Sequence, residues 1–112
     1  MIKVDSFIFG SIIINGRKFG DDVTVAWDGE VITKKSAHAF SVNDLRDMLI
    51  KAPEVVIIGT GTAGQVKIDP NVQITAGVEG VELIIKPTAQ AIEEFNRQSK
   101  RRKVIASFHL TC

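Results

Sequence analysis

The stretch Pro53 to Gly64, PEVVIIGTGTAG, constrains this chain more than any other. Val55, Val56, Ile57 and Ile58 are consecutive β-branched residues without polar alternation, the pattern of a strand covered on both faces. It reads as the central strand of a sheet. The loop of small residues that follows then lies at the carboxyl edge, where open α/β sheets bind ligands.

The flanking segments tell what the sheet is made of. Phe7 to Ile14 is apolar on either side of Gly10 and meets Asn15-Gly16, the strongest short hairpin signal. The chain returns through Arg17-Lys18-Phe19. Val23 and Val25 then alternate with Thr24 and Ala26, Asp28-Gly29 makes another turn, and Val31-Ile32-Thr33 follows, so the first third reads as an antiparallel meander. Lys34 to Ser41 has no period and reads as a loop. Ser41 and Asp44 form a capping pair for a helix whose Val42, Leu45, Met48 and Leu49 share one face up to Lys51. Beyond Gly64, Val66 and Ile68 alternate with polar residues, and Asp69-Pro70 offers an N-cap and a first helical position. NVQITAGVEG supports only a short helical segment, because Val72, Ile74, Thr75 and Gly77 all disfavour helix. Val81 to Ile85 reads as a second buried strand. Thr88 reads as the cap of a helix striped by Ala91, Ile92 and Phe95, and Val104, Ala106 and Phe108 alternate in a last strand. A meander followed by alternating strands and helices predicts one α/β domain over residues 1–112, a mixed sheet covered by helices.

Composition removes several function classes. At 112 residues and 45% hydrophobic side chains, the chain supports a core without staples. Cys112 is the only cysteine, which points to a reducing, cytoplasmic setting with no disulfide framework. No apolar stretch reaches the length of a signal segment or a membrane span. A net charge of +1 gives no general attraction to nucleic acid, and a nucleic-acid partner is not expected.

Gly59-Thr60-Gly61-Thr62-Ala63-Gly64 matches G-x-G-x-x-G literally, but the context of a dinucleotide site is missing. Such a turn opens directly into a helix, whereas QVKIDP has strand-like alternation and a proline. No Gly-Lys-Ser/Thr closes it as a phosphate loop. The glycines read first as a tight turn with close backbone approach, and second as a small-anion site made of Gly59, Thr60, Gly61 and Thr62, with Thr88 reaching the same edge. His38 stands without a second ligand at metal spacing and reads as a loop histidine. His109 and Cys112 are three apart, so a strand would not put them on one face, and the thiol reads as incidental. Lys100 to Lys103 reads as a solvated run that favours a helix C-terminus, with Arg102 a candidate contact and no aromatic side chain for base stacking. No metal set, cofactor or catalytic constellation is recognised.

Taken together, FGSIIINGRKF with VTVAWDG, the strand ending Ile58-Gly59-Thr60-Gly61, and PTAQAIEEFN with FHLTC resemble the family of small proteins that includes the adipogenesis-associated Mth-domain-containing protein. A mitochondrial assembly factor of respiratory complex I looks like a more distant relative. Thr88, Ala91, Asn96, Phe108-His109 and Thr111-Cys112 carry the most specific part of the likeness. The resemblance implies a three-layer α/β domain with a central mixed sheet and a hammerhead-like N-terminal part. It implies assembly or regulatory roles and no agreed catalytic residue. The expected function is therefore a non-enzymatic domain that binds a protein partner. The other reading is a binder of a small anion or metabolite, or a weak enzyme, working through the Gly59 to Gly64 loop.

Overall fold

The computed structural model describes residues 1–112. Ten strands and three helices follow one another as β1 (Val4–Ile8), β2 (Ser11–Ile14), β3 (Arg17–Phe19), β4 (Asp22–Ala26), β5 (Val31–Lys34), β6 (Ala39–Phe40), α1 (Val42–Leu49), β7 (Val55–Gly59), β8 (Lys67–Ile68), α2 (Pro70–Glu79), β9 (Glu82–Lys86), α3 (Thr88–Gln98) and β10 (Val104–Phe108). The main sheet has the order β5-β4-β10-β7-β9. It is mixed, because β10 runs antiparallel to β4 and parallel to β7, which in turn runs parallel to β9.

Strand alternation sorts the core into two faces. Val55 and Ile57 of β7, with Val104, Ala106 and Phe108 of β10, pack under α3 and the β1-β2-β3 sheet through Ala91, Phe95, Val4, Ile12 and Ile14. Val56, Ile58 and Ile105 face the other way, against Leu45 and Met48 of α1 and Val72 and Ala76 of α2. The unbroken apolar run of β7 thus serves two cores at once, in a three-layer arrangement with a mixed central sheet.

Several local expectations change. β7 is flanked on both sides, but the middle strand is β10, all five residues of which are buried. Its Ala106 and Ser107 are small or polar, which dilutes the apolar signal. The second buried strand expected at Val81 to Ile85 is β9, an edge strand with exposed ends and a half-buried centre. The meander is divided: β1 to β3 form their own antiparallel sheet, while β4 and β5 join the main one. Within the expected loop Lys34 to Ser41, Ala39 and Phe40 pair in parallel with β8.

The helices follow their caps. Ser41 and Asp44 close a full capping box on α1. Asp69 accepts from the Asn71 amide and Pro70 takes the first position, so α2 runs longer than its composition allows for. It leaves Ile74 and Val78 exposed, which explains its missing amphipathic period. Thr88 is not a cap. Pro87 holds that position without a side-chain bond, and the Thr88 hydroxyl turns inward instead.

Candidate functional site

The Gly59 to Gly64 loop folds over the chain's last residues. Gly61 has φ of +102°, and a Cβ there would lie 2.3 Å from the Thr111 carbonyl oxygen. At Gly59 a Cβ would sit 3.0 Å from both Phe108 and the Thr88 hydroxyl. The glycines are therefore demanded by close packing. The amides of Thr60, Gly61, Thr62 and Gly64 are already engaged within the chain. The Thr60 amide donates to the Lys86 carbonyl, the Thr62 amide to Thr111 and the Gly64 amide to Gly61. The Gly61 amide donates to the Thr88 hydroxyl at 2.9 Å, and that hydroxyl donates to the His109 carbonyl at 2.6 Å. Thr60 Oγ1 donates to the same Lys86 carbonyl. The anion reading of Gly59, Thr60, Gly61, Thr62 and Thr88 thus meets a loop whose polar groups hold the tail in place, a clasp between three strand ends.

Two outcomes follow. Thr88→Val removes both bonds of a fully buried hydroxyl and leaves an amide and a carbonyl unpaired, so it is expected to cost at least roughly 2 kcal/mol in urea unfolding. Thr88→Ser is expected to retain most of that stability; equal losses in the two variants would remove the clasp's energetic role. NAD, NADP and FAD are expected to give no saturable thermal shift, since the loop leads through Val66 to β8 and no helix opens at Gly64. A saturable shift with any of the three contradicts this.

Around the clasp lies a polar cluster on the sheet's carboxyl edge. Asp22 at the start of β4 is buried, with Oδ2 2.6 Å from His109 Nδ1 and Oδ1 accepting from the Leu110 amide at 3.0 Å. His109 is also held by its main chain, since its amide donates to Gly59. Its Nε2 lies 3.2 Å from Thr111 Oγ1. His38 does not stand alone. Cys112 Sγ lies 3.1 Å from His38 Nδ1, and the His38 and His109 rings meet edge to face with centroids 5.4 Å apart. Strand spacing separated His109 from Cys112, but the chain has left the strand by His109, so that rule no longer applies.

Lys34 is the feature that sequence reasoning missed. It donates to Ser107 Oγ at 2.7 Å, its ammonium lies 5.5 Å from the Phe40 ring centroid, and it borders cavities of about 440 and 160 Å³. Burial lowers its pKa from the ordinary 10.5, with Asp44, Asp22 and Asp47 opposing. Between that lowered value and 10.5 the unfolded chain binds more protons at this lysine than the folded one, so its contribution to stability rises with pH. The unfolding free energy of the wild type relative to Lys34→Met is expected to shift in favour of the wild type as pH climbs through this window. A flat difference contradicts it. The only sequence signal was a lysine closing a half-apolar strand.

The other two candidates, Asn96 and Arg102, have partners within the chain. Asn96 on α3 donates to the Val4 carbonyl and accepts from the Val4 amide, both at 2.9 Å, and so pins α3 to β1. Arg102 bridges Glu82 at 2.9 Å and Gln98 at 3.0 Å, while Lys100, Arg101 and Lys103 stay exposed.

The larger cavity is a groove between α1 and the β4-β5 edge, lined on its apolar side by Ala26, Ile32, Met48, Ile50 and Ile105. Its wall is braced by Lys51, which pairs with Asp28 at 2.6 Å and Glu30 at 3.1 Å. The hydrogen bond from Lys51 holds the Asp28 carboxyl below its ordinary range.

Known proteins give this architecture a family but no activity. No curated protein matches the chain. The solved structure of a conserved hypothetical protein, PH1505 from Pyrococcus horikoshii OT3, superposes with a TM-score of 0.88 at 24% identity, over 98% of this chain and 99% of that one. The protein MT938 gives 0.85 at 26% identity, over 100% of both chains. A Mth938-like domain from Bordetella pertussis gives 0.74 at 17% identity, over 97% of this chain and 85% of that one. Residues 4–109 match the model of a family of proteins of unknown function, and the chain belongs to that family, DUF498/DUF598.

Proposed function

We propose that residues 1–112 act as one cytoplasmic, non-enzymatic domain that binds a protein partner, in an assembly or regulatory role. The observation that carries this reading is the groove between α1 and the β4-β5 edge. Ile32 is 53% exposed and Ile50 81% exposed on either side of a cavity of about 440 Å³. Apolar side chains so placed lose contact with water only when something covers them, and burying them is worth roughly 25 cal/mol per Å². β5 has an unpaired outer edge, which suits an extended segment that adds to the sheet. Glu30, Asp44 and Asp47 border the same groove together with Lys34 and Lys51, and Lys51 already pairs with Glu30, so the apolar side chains carry the fit and the segment that suits them is apolar. The resemblance of PTAQAIEEFN and FHLTC to proteins with assembly and regulatory roles supports the same reading. No helix is long and apolar enough to cross a membrane.

The test is affinity capture by the intact chain, compared with Ile32→Glu/Ile50→Glu and Ile8→Glu/Phe9→Glu, which change exposed side chains only. A stoichiometric partner is expected to fall at least tenfold with the first pair and to persist with the second. Equal retention by the wild type and the Ile32/Ile50 variant rejects the groove as the binding surface.

A further inference from the structure

We propose that His38, His109 and Cys112 form a zinc site with three protein ligands and one open position. One ligand atom from each residue can be chosen so that all lie within 4.8 Å of one another. His38 comes from the loop between β5 and β6, and the other two from the tail beyond β10, so only the fold unites them. Zinc–nitrogen and zinc–sulfur bonds of about 2.0 and 2.3 Å imply tetrahedral ligand separations of about 3.3 to 3.6 Å. Cys112 Sγ and His38 Nδ1, at 3.1 Å, are already near that spacing. The separations, at most 4.8 Å, have to shorten by about an ångström, and the exposed His38 and half-buried Cys112 are the side chains with room to move.

The second observation is how His109 is held. Asp22 occupies its Nδ1 at 2.6 Å in a buried pair, which leaves Nε2 as the coordinating atom, an ion taking the place of the Thr111 hydroxyl now 3.2 Å from it. A carboxylate behind a ligating imidazole fixes the ring and raises its basicity. Gly59 and Thr88 fix the same residue through its main-chain amide and carbonyl. This ligand is thus positioned before any ion arrives, while the exposed His38 and half-buried Cys112 leave an entry path. Two imidazoles and a thiolate select a borderline ion such as zinc over magnesium or calcium, which prefer oxygen. This inference does not depend on the α1 groove, which uses none of the three residues.

The test uses the full chain without a histidine tag, under reducing conditions, titrated with cobalt(II) and then zinc(II). Saturation at one ion per chain is expected, with a thiolate-to-cobalt charge-transfer band that zinc displaces. Cys112→Ser is expected to abolish the band, and both it and His38→Ala to weaken zinc binding at least tenfold. The melting temperature of either metal-free variant is expected to stay near that of the wild type, since neither side chain is buried. Absence of saturable binding at one ion per chain overturns the proposal. So does zinc binding that Cys112→Ser leaves unchanged, which would make the thiol a simple hydrogen-bond partner of His38.

Discussion

Val56→Asp is expected to yield no folded protein. Val56 is fully buried, on the face of β7 that meets Leu45, Met48, Val72 and Ala76. Its neighbours across the sheet are Ile105 and Leu83, neither able to pair with a carboxylate. A buried charge without a partner costs more than the whole margin of about 5 to 15 kcal/mol that keeps a domain folded, unless the group takes up a proton or the strand moves. Ile57→Ala, on the opposite face, keeps the measurement within range. It removes buried methyl groups between β7 and α3 and is expected to cost roughly 2 to 5 kcal/mol while leaving unfolding cooperative. Circular dichroism and urea titration read both. Cooperative unfolding of Val56→Asp near wild-type stability would show that β7 is not covered on two faces.

Gly61→Val is the second large effect. The valine must adopt a φ of +102° with its Cβ 2.3 Å from the Thr111 carbonyl oxygen, and nothing flexible lies there to yield. The backbone of the loop or of the tail has to move, and with it the bonds from Gly61 to Thr88 and from Thr62 to Thr111. A loss of at least roughly 3 kcal/mol is expected from the strain and the unpaired buried groups. Gly77→Ala is the contrast, because nothing lies within 4 Å of a Cβ there and alanine favours helix by roughly 1 kcal/mol. If Gly61→Val unfolded like the wild type, the tail would not be clasped.

Legibility followed how local each cause is. The unbroken β-branched run of Val55 to Ile58, the Ser41-Asp44 box and the Asp69-Pro70 helix start are each written in residues next to one another or a few apart, and each stands as read. The place of β10 between β4 and β7 depends on sheet order, which side-chain alternation does not encode. Thr88 has the residue type of a cap, yet the hydroxyl is claimed by Gly61 and His109, far along the chain. The exposed Ile74 and Val78 blurred the periodicity of α2 for a different reason, since that helix buries only Val72 and Ala76. Asp22, Lys34 and Ser107 carried no motif at all. They become a cluster only when the ends of β4, β5 and β10 meet on one edge. His38 and Cys112, 74 residues apart, come together in the same way.

Amide hydrogen exchange followed by phosphate titration separates a glycine-rich loop that holds the tail from one that holds a ligand. The amides of Thr60, Gly61 and Thr62 are expected to exchange as slowly as those of β7 and to keep their resonances through millimolar phosphate, because each already has a partner within the chain. Fast exchange at all three, with a saturable phosphate-induced shift there and at Thr88, would make the loop an anion site and not a clasp.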